Sequence, residues 1–327
     1  MNSPIDIVVT WVDNTLPEWQ QEYLYWKKIE IERGTQKPNH GDAFSETRYR
    51  SWNVFKYWFR GVAENCPWVN KVFLIVENKK HVPDWLDQNC EKLRIVEHKE
   101  FIPEGLLPLF NGPVIDLWYS RIPDLSDNFI ICDDDFYFMN PVPDNFFFDN
   151  DIPKGPIYKE PSKQNLDLMT FIPKINFFLT TWMRTRYNSA ECACRYSGVK
   201  GYMLTYSHLP EARKKSFEQK WMVDMYDELY EKSAISHFRH DDNIIGNVFL
   251  DLPKLLGLTQ NNPDFMANSK YLPLIPSKSA DIVNAILSKK YMLVCLNDTA
   301  AEHPELLNLL VIKIFEEKFP NKCYFER

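Results

Sequence analysis

No apolar run in this 327-residue chain approaches the roughly 20 residues that a membrane-spanning helix needs. The first residues, Met1 to Asp6, lack a basic stretch leading into an apolar one, so no secretory signal is expected. Positive charge is not in excess. Lys and Arg number 38 against 45 Asp and Glu, and the net charge of −7 argues against general binding to nucleic acid or anionic lipid. An anionic substrate would need local help from Arg, Lys or a metal. Zinc-finger spacing is missing as well: among the seven scattered cysteines, Cys192 and Cys194 form the one close pair, with no second Cys or His pair to complete a structural site. Cys66, Cys90, Cys132, Cys295 and Cys323 lie in apolar contexts and read as buried thiols in a reducing compartment. A soluble, cytoplasmic protein is the expectation. Internal repeats and low-complexity segments are absent.

Apolar material is plentiful. Hydrophobic residues make up 45% and aromatics 15% of the chain, enough for a substantial core. The β-branched stretch Ile5–Thr10 predicts a central strand and runs into the polar turn at Trp11, Asp13 and Asn14. Helical spacing covers 18–33 and again Ser45 to Glu64, where Pro67 follows. Lys71–Val76 and Leu93–Glu97 read as further strands, and Pro113 opens a helix through about Arg121 that carries Asp116. Residues 160–235 look mainly helical, with a charged helix from Glu211 to Glu231, and Asp241–Leu250 reads as another helix. Residues 253–276 look loop-rich, Tyr291–Cys295 is a late strand, and Ala300–Phe319 is a closing helix. Strands alternating with helices predict a Rossmann-like α/β fold with a mostly parallel central sheet and flanking helices. One domain over 1–327 is expected. Residues 1–150 and about 285–327 would form the α/β core, and about 155–250 a largely helical insertion beside it.

The chemistry centres on Phe129 to Phe138. Four apolar residues read as a buried strand and lead into Asp133, Asp134 and Asp135. Three adjacent carboxylates repel one another, and a divalent cation holding a diphosphate would offset that charge. In open α/β sheets ligands sit beyond the carboxyl ends of the strands, where this triplet would lie. The plainer alternative is a solvated acidic turn. Other polar clusters border strands at Asp13, Asp116, Asn297 and Asp298, although Asp and Asn also serve there as ordinary turn residues. His208, ahead of Pro210, sits before a helix start where backbone donors favour an anion. The group His237, Arg239, His240, Asp241 and Asp242 reads equally as a solvated helix amino terminus. A zinc site from His208, His237 and His240 has no diagnostic spacing.

The chain resembles the Stealth family of sugar-1-phosphate transferases, which includes bacterial capsule polymerases and the animal enzyme that starts the mannose-6-phosphate tag. Four blocks carry the resemblance in order: Ile5 to Asp13; Arg48 to about Pro143, which includes the aspartate triplet; His208-Leu-Pro210 with Phe238 to Asp242; and Cys295 to Asp298 with the helix after it. Lys56 and Gly61 stand where family members often carry arginine and serine, and Asp116 where relatives carry glutamate. The resemblance implies transfer of hexose-1-phosphate from a UDP-sugar to an acceptor hydroxyl on a saccharide or lipid-linked saccharide. UMP would leave. It implies catalytic roles for Asp135, His208, Arg239 and Asp116, and Mg²⁺ or Mn²⁺ held by Asp133, Asp134, Asp135 and Asp298. Trp11, Asp13, Arg48, Lys56 and Asn297 would bind substrate, and the protein could associate peripherally with the inner face of a membrane.

The general base stays open between His208, Asp135 and Asp116, and a covalent phosphohistidine is a further option. Two other readings compete. A nucleotide-sugar glycosyltransferase also places an Asp-x-Asp element after a strand but would release UDP. A carbohydrate-binding protein without catalysis would account for the aromatics alone.

Overall fold

The computed structural model describes residues 3–36, 43–156, 180–199, 208–299 and 304–327. Its centre is β1 (Ile5–Thr10), buried on both faces, with the carboxylate of Asp6 satisfied by Asn70 and by the Lys71 and Ser126 amides. Helix α1 (Pro17–Glu32) and helix α2 (Phe55–Asn65) follow. Next come β2 (Val72–Val76) and β3 (Leu93–Glu97), each laid parallel to its predecessor. The chain then crosses to the other side of β1. A single helical turn, α3 (Gly112–Ile115), runs into a 3₁₀ segment at Asp116–Arg121, and β4 (Asn128–Cys132) pairs parallel with β1. Pairing of Val9 with Cys132 carries Trp11 and the start of the aspartate triplet to the same edge, at the carboxyl ends of their strands. Because β2 and β4 lie on opposite sides of β1, this is the switch point of the sheet, where a crevice opens.

The α/β class and the mostly parallel central sheet are as expected from the sequence. Several boundaries differ. Residues 46–48 form only a 3₁₀ turn and α2 starts at Phe55, ten residues later than the spacing predicts. Tertiary bonds override the local periodicity: the Arg50 and Trp52 side chains reach Asp298, and Asn53 turns the backbone at φ 56°. Past the aspartate triplet, β5 (Phe136–Phe138) leaves the main sheet. A small sheet follows, with β6 (Phe148–Asp149) and β7 (Ile152–Pro156).

In the middle of the chain, α4 (Thr181–Ser197) is helical as expected. The predicted charged helix starts late, however. Glu211–Lys214 is β8, antiparallel to β4, and only Lys215–Ser233 forms helix α5. Pairing satisfies the outer edge of β4, which local propensity cannot sense, and buries Arg213 against Glu218. The next helix, α6 (Val248–Leu255), also begins later than predicted. Upstream, buried Asn243 accepts from the His240 backbone amide and donates to the Lys232 carbonyl, which holds 240–247 as turns.

The stretch read as loop contains β9 (Gln260–Asn262) and β10 (Ser269–Pro273), with α7 (Ser279–Leu287) after it. The late strand β11 (Leu293–Asn297) does not rejoin the five-stranded sheet. It pairs parallel with β10 and antiparallel with β5, so a second sheet grows from the strand that follows the triplet. Helix α8 (Pro304–Lys318) is the last helix among the described residues; the expected start of that helix and residues 157–179 lie outside them. Gly61 permits α2 to press on β5, since a Cβ there would stand 2.7 Å from the Phe138 carbonyl oxygen.

Candidate active site

A cavity of about 1170 Å³ opens at the switch point. Trp11 and Arg48 line it, as do Asp116, the triplet Asp133–Asp135, His208, Arg239, Asn297 and Asp298. Residues separated by nearly 300 positions thus share one wall. The topology explains most of this convergence. Because β8 runs antiparallel to β4, the start of β8 meets the end of β4, and His208, three residues ahead of β8, is carried to the triplet. The antiparallel pairing of Phe136 with Cys295 brings Asn297 and Asp298 to the same place. Arg239 is set by its neighbour: Phe238 is fully buried, stacked on Phe110 at 5.0 Å, and the Arg239 carbonyl accepts from Gln36 at 2.9 Å.

The triplet members sit in different surroundings. Burial raises the Asp134 carboxyl to about 8, with the charges of Asp135 and Asp133 adding to it. Asp133 is raised to about 6, again mainly by burial. Asp116, on the 3₁₀ segment below, is pushed to about 7 by burial and by the charge of Asp133. Asp135 instead faces a histidine: its Oδ2 lies 3.6 Å from His208 Nε2 and 3.4 Å from Asn297 Nδ2. Burial works against a charged His208, but the hydrogen bond and charge of Asp135 outweigh it, so the imidazole is held above its ordinary value. The Phe136 and Tyr271 rings meet the imidazole edge-on at 4.9 and 6.0 Å, which fixes its plane.

Other predicted residues have their own partners. Trp11 stacks flat on Phe55 at 4.3 Å. Asp298 is gripped by the Arg50 fork at 2.6 and 2.6 Å and by Trp52 Nε1 at 2.9 Å. Asp13 and Lys56 stand outside the cavity wall: the Asp13 carboxylate accepts from Thr15 in a turn, and the Lys56 ammonium lies over the Tyr57 ring. Neither His237 nor His240 joins His208. His237 stacks on Trp26 at 3.8 Å and pairs with Glu30 at 2.9 Å, and His240 accepts from the Asp242 amide.

Sequence reasoning missed Cys295, whose Sγ lies 3.6 Å from Asp135 Oδ2. Its apolar neighbours in β11 hid it; the polar Asn297 and Asp298 just after it were the available signal. Also missed were Arg50, Glu211 and Arg213, all on the cavity wall. Gly246 comes so close to Asp116 that an added Cβ would clash with the Asp116 Cβ and stand 3.2 Å from Arg213 Nη1.

A family model described as Stealth protein CR2, conserved region 2, matches residues 48–154, which contain Asp116 and the whole triplet. A capsular polysaccharide phosphotransferase, WcwK of Streptococcus pneumoniae, is 32% identical over the full length of both chains. This chain belongs to the Stealth family. An exopolysaccharide phosphotransferase, cps2G of Lactiplantibacillus plantarum, is 28% identical over 99% of this chain and 96% of its own. The receptor polysaccharide phosphotransferase WefC of Streptococcus oralis reaches 44% identity over 46% of this chain and 43% of its own. The solved galactosyltransferase LgtC, in complex with donor and acceptor sugar analogues, is similar over 94% of this chain and 95% of its own. At 12% identity and a TM-score of 0.36 that likeness carries no argument. Membership makes this Stealth chain an enzyme, a transferase of phosphorus-containing groups.

Proposed function

We propose that this Stealth protein transfers hexose-1-phosphate from a UDP-sugar to a saccharide hydroxyl in capsule or surface-polysaccharide synthesis. The acceptor oxygen attacks the phosphorus nearer the sugar, UMP leaves, and a phosphodiester forms. The observation that carries the reading is that the His208–Asp135 pair and Arg239 line one cavity. In-line phosphoryl transfer asks for positioned reactants, charge stabilisation and a proton acceptor. His208 is the proton acceptor in this reading, with Asp135 orienting it and steadying the imidazolium that forms. Arg239 and Arg48 bind the diphosphate oxygens. Trp11, flat and half-exposed at the end of β1, offers a stacking face to the uracil. The cavity volume exceeds what a single drug-sized ligand fills, about 300–1,000 Å³, and leaves room for donor and acceptor together.

A divalent cation, Mg²⁺ or Mn²⁺, fits part of the set assigned to it. Asp133, Asp134 and Asp135 present oxygens only, Asp135 Oδ1 is buried without a hydrogen-bond partner, and burial makes the ionisation of Asp133 and Asp134 costly until a cation compensates. Bound there, the ion would neutralise the diphosphate. Asp298 does not fit, because Arg50 and Trp52 already occupy its oxygens and cancel its charge. The whole chain acts as one catalytic unit in this reading, on the cytoplasmic side and next to a lipid-linked acceptor. No helix among the described residues is long and apolar enough to cross a membrane.

The test is the nucleotide product. Incubation with a panel of UDP-sugars and saccharide acceptors should yield UMP on ion-exchange chromatography, in step with formation of the hexose-phosphate diester on the acceptor. Release of UDP would replace this reading with glycosyl transfer to the anomeric carbon. Sugar binding without turnover would leave the non-catalytic reading.

A further inference from the structure

We propose that Asp135, His208 and Cys295 form a three-ligand site for a borderline divalent cation of the Zn²⁺ class, distinct in donor chemistry from the all-oxygen aspartate set. The three ligand atoms, Asp135 Oδ2, His208 Nε2 and Cys295 Sγ, lie within 4.8 Å of one another. Two of the separations, Oδ2 to Nε2 and Oδ2 to Sγ, are each 3.6 Å. Around a tetrahedral Zn²⁺ with bonds of about 2.0–2.3 Å, ligand atoms stand roughly 3.3–3.7 Å apart. Two edges of that tetrahedron therefore already exist, and a small side-chain rotation closes the third.

The backbone holds these ligands from three directions. Cys295 is opposite Phe136 in the β5–β11 pairing, and the Leu296 amide donates to the Asp135 carbonyl at 3.0 Å, which locks one ligand beside the next. His208 is delivered by the β4–β8 pairing. A supporting group is present: Asn297 Nδ2 stands 3.4 Å from Asp135 Oδ2, and the Tyr271 hydroxyl donates to Asn297 Oδ1 at 3.1 Å. The 3.4 Å approach of Asn297 Nδ2 to His208 Nε2 gives way when a metal takes that lone pair. Such outer partners fix ligand orientation in metal sites.

Sulfur decides the class of ion. Mg²⁺ and Mn²⁺ favour oxygen donors, whereas a thiolate beside an imidazole selects Zn²⁺ and its close relatives. The Cys295 thiol proton passes to solvent as the metal–sulfur bond forms. Cys295 is buried, while Asp135 and His208 keep 23% and 31% of their side chains exposed, so a fourth position faces the cavity for water or a phosphate oxygen. Zn²⁺ bound there takes the His208 nitrogen and the Asp135 oxygen that the proposed transfer uses. Inhibition by Zn²⁺ follows if both proposals hold; binding does not depend on the transfer reaction.

The experiment uses the full-length protein without substrate. Titration with Co²⁺ should give a thiolate-to-metal charge-transfer band and intense visible bands that saturate at one equivalent. Zn²⁺ should displace the Co²⁺ signal and Mg²⁺ should not. Cys295→Ser should abolish the charge-transfer band, while Cys194→Ser, on α4, should retain it. His208→Ala should weaken Zn²⁺, measured against a chromophoric chelator, by more than the about 100-fold that loss of an outer partner can cost. His208 is partly exposed, so this variant remains informative if Cys295→Ser does not fold. Absence of a charge-transfer band in the unmodified protein, its persistence in Cys295→Ser, unchanged Zn²⁺ affinity in His208→Ala, or displacement by Mg²⁺ would each overturn the site. None of these outcomes bears on UMP release.

Discussion

Gly246→Ala probes how tightly the cavity floor is built. Gly246 follows the turns that carry Arg239, and its amide donates to the Pro113 carbonyl at 2.9 Å, so its backbone is tied to the segment that leads to Asp116. The new methyl would fall well inside contact distance of the Asp116 Cβ and would stand 3.2 Å from Arg213 Nη1. Arg213 cannot yield easily, since its guanidinium is buried and paired with Glu218. Asp116 must therefore give by about 1 Å to restore ordinary carbon–carbon separation. Overpacking of this kind costs about 1–3 kcal/mol of stability. A shift of about 1 Å in a residue of the reacting site costs roughly 100-fold in rate. Turnover of a UDP-sugar should accordingly fall near 100-fold, while the urea midpoint moves down with an unchanged slope. Gly155→Ala is the control, because an added Cβ there meets nothing within 4 Å. If Gly246→Ala turned over at the unmodified rate with a lowered urea midpoint, Asp116 would have no positional role in the reaction.

Three further outcomes are expected. His208→Ala and Arg239→Ala should each lower turnover by at least a few hundred-fold with the far-ultraviolet circular dichroism unchanged, and a near-normal rate in either would remove that residue from the site. Asp133, Asp116 and Asp134 are raised to about 6, 7 and 8, above the ordinary carboxyl value, so the stability they contribute is full below pH 4 and lost as pH rises through 6 to 8. Melting temperature should fall over that interval, and Mg²⁺ should recover more of it at pH 8 than at pH 5; equal recovery at both would detach the ion from these carboxylates. Asp298→Asn should weaken the charged fork to Arg50 and lower the melting temperature, yet leave the Mg²⁺ concentration for half-maximal activity in place; a large rise in that concentration would restore Asp298 as a metal ligand.

Much of the site could be read locally. The triplet follows a strand whose apolar run announces burial on both faces, and charge crowding at its end is a property of adjacent residues. The ten-residue error at α2 and the missed strand β8 have one cause. Arg50 is drawn to Asp298, 248 positions away, and Glu211–Lys214 is drawn to the free edge of β4, so long-range partners outweighed a helical pattern worth only tenths of a kcal/mol per residue. Asp298 itself shows the same limit. Its place after a strand pointed to a ligand, but only its partner shows that its charge is already spent.

By itself the sequence determined the class of fold, the central strand, the triplet at a strand end and, through its ordered blocks, the family. These depend on hydrophobic runs and short motifs, which act over a few residues. The tertiary structure decided which groups meet: His208 and Cys295 at one oxygen of Asp135, Asp298 closed by Arg50, and Asp13 and Lys56 turned to other partners. Strand order and register set those distances. They result from packing over the whole chain, which no local pattern carries.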